Sequence, residues 1–116
     1  MPISFDEALA FALTLPGVAI APHYGTPAAK VRGKAFVMRS REPGSFGVAA
    51  TLDEVELLRE TEPAAFWQSP HYVGWGVILV REDEADAERV RTIVERAWSA
   101  RASKAQRLNL TPNPAI

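Results

Sequence analysis

Two helix-start signals enclose a region of short strands in this sequence. Ser4 and Glu7 form one capping box, and Thr51 and Glu54 form a second one. In each box a hydroxyl side chain stands at the N-cap and a glutamate follows three residues later. Between the two predicted helices, turns containing glycine or proline separate short runs of alternating apolar residues, which is the pattern of β-strands. The sequence therefore predicts a mixed fold with strands joined in a meander.

The periodicity places each element along the chain. Helices are predicted over about residues 4–14, 52–60 and 84–101, strands over 18–24, 28–32, 35–41, 46–50 and 73–80, and a helical turn over 63–68. Short hairpin connections require antiparallel pairing. The predicted fold class is α+β, an antiparallel meander with helices on one face in the order α-β(3-4)-α-β-α. Residues 1–104 form the predicted domain, and residues 105–116 form a tail that we expect to be poorly ordered.

Composition excludes several classes of site. The chain has no cysteine and only two histidines, so we expect no disulfide, no thiol nucleophile, no metal and no cofactor. The apolar run Val77 to Val80, like every other apolar run in the sequence, is far shorter than the roughly 20 residues of a membrane span. The first residues also lack the basic and apolar regions of a signal peptide. We therefore expect a soluble, cytoplasmic protein with no membrane partner.

Positive charge is concentrated in one predicted hairpin. The net charge is −1, but residues 18–41 hold five bases and no acid, whereas residues 42–95 carry a charge of −8. A two-residue type II′ turn at Gly33-Lys34 would place positions 28, 30, 32, 35, 37, 39 and 41 on one solvent face. Ala29, Val31, Phe36 and Met38 would then face the core. The candidate nucleic-acid-binding residues are Lys30, Arg32, Lys34, Arg39 and Arg41.

Two interpretations of this basic face remain open. It could contact phosphates, or it could be a solvated face whose charges protect the sheet edge. No aromatic residue interleaves with the five bases on this face, so the sequence does not favour stacking on single-stranded bases.

Enzyme motifs are missing from the chain. Two similar dipeptides, His23-Tyr24 and His71-Tyr72, occur in predicted loops, but their spacing indicates no catalytic arrangement. We therefore predict no catalytic residues and no enzyme activity. A shallow ligand pocket at His71, Tyr72 and Trp75 is the alternative that these residues leave open.

A series of short motifs resembles the MmcQ/YjbR family. In order along residues 5–108 these are Leu15-Pro16-Gly17, His23-Tyr24-Gly25-Thr26-Pro27, Arg32-Gly33-Lys34-Ala35-Phe36, Pro70-His71-Tyr72-Val73-Gly74-Trp75 and Ala97-Trp98. The resemblance implies an α+β fold likened to secretion chaperones and to a "double wing" module, and it implies DNA binding.

Three functions follow as expectations. The first is a non-enzymatic DNA-binding or regulatory protein whose basic hairpin contacts phosphates without sequence preference. The second is a protein-interaction module of the secretion-chaperone type. The third is a small-molecule binder or an enzyme.

Overall fold

The computed structural model of the protein describes residues 1–110. Four helices follow the order α1 (Phe5–Leu13), α2 (Leu52–Thr61), α3 (Ala87–Arg101) and α4 (Lys104–Leu110). The strands are β1 (Val18–His23), β2 (Thr26–Val31), β3 (Lys34–Arg39), β4 (Ser45–Ala49), β5 (Phe66–Trp67) and β6 (Val77–Arg81), with a short 3-10 turn at Pro70–Tyr72. They form one antiparallel sheet in the order β1-β2-β3-β4-β6-β5. The predicted α+β class is confirmed.

Both predicted capping boxes are present. The Ser4 hydroxyl accepts a hydrogen bond from the Glu7 amide at 3.1 Å, and the Glu7 carboxylate accepts one from the Ser4 amide at 3.0 Å. Thr51 and Glu54 repeat this exchange at the start of α2. Each box satisfies backbone donors that a helix start would otherwise leave unpaired. These caps explain why α1 and α2 begin where the sequence predicts.

The helices pack on one face of the sheet, which we call the helix face. Phe46 and Val48 of β4 join a single buried cluster with apolar residues of α1, α2 and α3. Trp98 of α3 is only 1% exposed in this cluster, and its indole nitrogen donates to the carbonyl of Pro16 at 2.9 Å. The opposite face, which we call the open face, carries Gly47 between Phe46 and Val48. None of the helices among residues 1–110 has the length and apolar character needed to cross a bilayer.

The β2–β3 hairpin differs from its prediction in turn and register. Arg32 and Gly33 occupy the turn with φ of 53° and 78°, the signature of a type I′ turn instead of type II′ at Gly33-Lys34. A bulge then leaves Phe36 without a partner, because Lys30 pairs with Ala35 whereas Ala29 pairs with Val37. Phe36 and Val37 are both fully buried in the core. The predicted single solvent face is therefore wrong, because the bulge reverses the alternation of side chains beyond it.

Three other segments correct the sequence-based assignment. Phe66 and Trp67 form β5 beside Val80 and Leu79, not part of a helical turn. The predicted strand 73–80 begins only at Val77, because Gly74 turns the backbone with a φ of 84°. Residues 104–110, which the sequence assigns largely to a tail, form α4, and the order of residues 111–116 lies outside the described residues.

Candidate ligand-binding cleft

A cleft of about 520 Å³ opens on the open face of the sheet. Three segments that are distant in sequence line it: the β1–β2 turn, the end of β3 with the following connection, and the loop between β5 and β6. The lining residues are His23, Tyr24, Thr26, residues 38–41, Gly47, His71, Tyr72, Trp75 and Val77. Both His-Tyr dipeptides therefore reach the same cleft from opposite sides.

The β1–β2 turn places one aromatic pair at the cleft. His23 pairs with Thr26 across the turn, and the Thr26 hydroxyl donates to the His23 carbonyl at 3.1 Å. Tyr24 and Gly25 form the turn itself with φ of 51° and 82°. The left-handed conformation is costly for a tyrosine, and its side chain remains 95% exposed. The Tyr24 ring is therefore presented to solvent, and among the described residues it does not contribute to the core.

The loop between β5 and β6 supplies the aromatic wall of the cleft. Gln68 braces this loop, because its side-chain amide donates to the carbonyls of Trp75 at 3.2 Å and Val77 at 3.0 Å. The Tyr72 ring is buried, and the Trp75 ring meets it at 5.6 Å between centroids. The His71 ring lies 4.9 Å from the Trp75 ring. Trp75 stays 51% exposed, so part of its indole is free to contact a ligand.

Arg41 brings a positive charge into this aromatic wall. Its backbone amide donates to the Tyr72 hydroxyl at 3.0 Å, and its Nη1 lies 2.9 Å from Nδ1 of His71. A guanidinium can only donate, so in this contact Nδ1 of His71 is the acceptor. The ion pairs among the described residues do not include Arg41. Its charge therefore remains available to an anion.

The five candidate bases do not share one face. The Arg39 guanidinium lies 4.3 Å from the centroid of the Phe5 ring in α1 and 3.9 Å from a Glu82 carboxylate oxygen, so its charged group lies on the helix face although the residue also lines the cleft. Lys34 pairs with the core-facing Val31 and extends toward the same side. Lys30 pairs with Ala35 on the open face, which also carries Arg41. Arg32 lies in the turn between them.

The bulge at Phe36 is the physical reason for this division. Without it, position 39 would lie on the open face and Met38 in the core, as the alternation predicts. With it, Met38 instead lines the cleft on the open face. The five bases therefore do not form one ribbon. Lys30 and Arg41 lie on the open face, the other two strand residues lie on the helix face, and Arg32 lies in the turn.

The structure changes the sequence-based picture of the site in two ways. His71, Tyr72 and Trp75 do lie together, and their role as a ligand pocket stays a prediction. No aromatic residue interleaves with the bases of the hairpin itself, but folding brings the aromatic loop at residues 71–75 against Arg41. The repeated His-Tyr dipeptide was the one signal in the sequence that could have joined the two loops.

The histidines show no catalytic geometry within residues 1–110. The hydrogen bond described for the His71 ring goes to Arg41, and none to a serine hydroxyl or a carboxylate is described for either histidine ring. The same residues contain no group of three or more His, Asp or Glu side chains placed to hold a metal. The absence of enzyme activity stays a prediction.

Comparison with known proteins identifies the family. The model of the YjbR family matches residues 13–100, which includes the hairpin, the cleft and most of α3. The comparison with curated proteins gave no significant match, and neither did the comparison with solved structures. Because the match extends over more than half of the sequence, the chain belongs to the YjbR family.

Proposed function

We propose that this protein is a non-enzymatic, cytoplasmic nucleic-acid-binding module, and that its open face binds a single strand. The observation that carries this proposal is the position of Arg41, which joins no ion pair among residues 1–110 and lines the same cleft as the half-exposed Trp75 ring, with His71 in contact with both. Modules that bind single strands without sequence preference combine these two elements, a ring that stacks on a base and a cation that contacts phosphate.

The basic side chains of the open face define a path for a bound nucleic-acid strand. Arg41 lies at the cleft, Lys30 lies farther along the same face, and Arg32 lies in the hairpin turn. At about 3.3 Å per strand residue, the distance from Arg41 to the turn is roughly 20 Å. A short oligonucleotide would span this distance, with one nucleobase in the cleft and two or three phosphates in contact with the basic side chains.

Salt dependence separates this arrangement from the five-base ribbon. Two or three phosphate contacts to a single strand imply a slope of log K against log salt of about −1.4 to −2.1. Five contacts to a duplex would imply about −4.5. The negative charge of segment 42–95 repels phosphates in either arrangement. Binding is therefore expected to be weak, with a Kd of about 10⁻⁴ to 10⁻⁶ M.

Fluorescence polarisation with a labelled oligothymidylate of about 8 nucleotides tests the proposal. Arg41→Gln should weaken binding about tenfold, because one charge-assisted contact is lost. Lys34→Gln removes the same charge on the helix side and should leave the Kd within about twofold, as should Arg59→Gln on the exposed surface of α2.

Two outcomes would overturn the proposal. Preference for a duplex, with equal losses in Arg41→Gln and Lys34→Gln, would favour the five-base ribbon. No binding of either nucleic acid at about 50 mM salt would leave the protein-interaction module as the leading function.

A further inference from the structure

We infer that the cleft is a complete site for one nucleoside monophosphate, with the base on Trp75 and the phosphate on Arg41. The inference rests on the proposed function for the placement of base and phosphate, but it goes further. It states that a free nucleotide binds without the rest of a strand. The cleft volume of about 520 Å³ lies within the range of about 300–1,000 Å³ that small-molecule sites occupy.

Among the three tryptophans, the indole of Trp75 is the ring best placed to stack on a base. The indole nitrogens of the other two tryptophans are engaged, because Trp67 donates to the Ser45 hydroxyl at 3.0 Å and Trp98 donates to the Pro16 carbonyl. No partner is described for the Trp75 indole nitrogen within residues 1–110. His71 and Tyr72 hold the ring from one side, so its exposed part is presented in a fixed orientation.

Arg41 is placed to bind the phosphate of the same nucleotide. One of its five N–H groups is directed at His71, which leaves the other groups for phosphate oxygens. The imidazole of His71 separates the guanidinium from the indole, and a ribose between base and phosphate spans a comparable width. His71 therefore acts as a positioning residue, because it holds Arg41 by accepting its hydrogen bond.

The floor of the cleft leaves room for the nucleotide because of Gly47. A Cβ atom at this position would lie 3.0 Å from both the Met38 sulfur and the Val77 Cγ1. All three residues line the cleft. Alanine at position 47 would therefore displace the Met38 side chain toward the space that the ligand needs.

Two-dimensional ¹H–¹⁵N NMR of the three indole N–H signals tests this inference. Addition of adenosine 5′-monophosphate should shift the Trp75 signal, which Trp75→Phe identifies, and leave the Trp98 signal in place. Adenosine should bind at least fivefold more weakly, and ribose 5-phosphate should cause no shift of the Trp75 signal. These two compounds separate the contributions of base and phosphate.

Variants test the roles of the individual side chains. Arg41→Gln should reduce the affinity for the monophosphate to that for adenosine. His71→Asn keeps an acceptor oxygen near the position of Nδ1 and should retain most of the affinity, whereas His71→Phe should lose it with an unchanged Trp98 signal. Gly47→Ala should weaken binding of both adenosine and its monophosphate.

Each outcome decides between the two proposals. If oligothymidylate binds but the monophosphate shifts no signal at millimolar concentration, the complete-site inference fails and the proposed function stands. If the monophosphate binds but no oligonucleotide does, the proposed function fails and the cleft is a nucleotide site. Equal affinities for adenosine and its monophosphate would overturn the role of Arg41.

Discussion

Arg41 and His71 join the two main segments of the cleft through one hydrogen bond of 2.9 Å between Nη1 and Nδ1. The two residues lie 30 positions apart, and the backbone amide of Arg41 adds a second link to the neighbouring Tyr72. The connection after β3 is thereby held against the loop that carries Trp75. The charge and the aromatic wall of the site depend on the same contact.

The first prediction concerns the proton of His71. Because the guanidinium cannot accept a hydrogen bond, the neutral ring should carry its proton on Nε2. Long-range ¹H–¹⁵N NMR at neutral pH should show the Nε2–H tautomer, and Arg41→Gln should reduce its population. A dominant Nδ1–H tautomer in the wild type would contradict the described pair.

The second prediction separates Arg39 from Arg41. Arg39→Gln should destabilise the fold by about 1 kcal/mol, because it removes the contacts with Phe5 and Glu82 on a partly exposed surface. Arg41→Gln should change the free energy of unfolding by less, because its described side-chain contact is one exposed hydrogen bond. Urea denaturation measures both, and a larger loss for Arg41→Gln would show that the two sides of the sheet are misassigned.

Local sequence signals predicted the helices well, and the reason is visible in the caps. Ser4, Thr51 and the acidic turn before α3 mark helix starts through contacts with residues two or three positions away. Such contacts can be read from the sequence without knowledge of the tertiary structure. The edge position of β1 also has a local cause, because Pro22 within this strand cannot donate a hydrogen bond to a neighbouring strand.

The cleft could not be predicted in the same way, because it depends on register and on contacts distant in sequence. A bulge of one residue at Phe36 exchanges the faces of Met38 and Arg39, and nothing in the alternation of residues 34–41 announces it. Arg41 and His71 meet only because β4 and β6 are neighbours in the sheet. The sequence identified His71, Tyr72 and Trp75 as a group, but it did not place Arg41 beside them.

The third prediction concerns a close backbone approach at Gly76. Its carbonyl accepts from the Ala50 amide at 2.9 Å, and a Cβ atom at position 76 would lie 2.7 Å from the Ala50 carbonyl oxygen. Gly76→Ala should therefore destabilise the protein by about 1–3 kcal/mol, since backbone must move. Val73→Ala in the same loop, where the side chain is exposed, should stay within about 0.5 kcal/mol. Thermal and urea unfolding of the two variants measure the difference, and equal stability would contradict the close approach.

The fourth prediction concerns acid stability through Glu54. Burial alone would raise the pKa of this carboxyl, but hydrogen bonds from Thr51 and Arg96 outweigh burial and hold the pKa below its ordinary value of 4.5. The ionised carboxylate therefore stabilises the fold when the pH is above the ordinary pKa. This stabilisation is lost as the pH falls through the lowered pKa of the folded state. Glu54→Gln should show a smaller loss of stability between about pH 5 and 3 than the wild type. If urea unfolding shows equal losses of stability in the wild type and in Glu54→Gln over this pH range, this role of Glu54 is contradicted.

The most direct test of the proposed function is NMR mapping of a bound single strand. Backbone amide shifts on addition of an oligothymidylate of about 8 nucleotides should be confined to the open face, its cleft and the hairpin turn, at residues 23–33, 38–41, 47 and 71–77. The helix-face residues Phe5 and Glu82, which flank Arg39, should not shift. Shifts centred on Phe5 and Glu82, or no shifts at millimolar oligonucleotide, would contradict the assignment of the open face as a single-strand site.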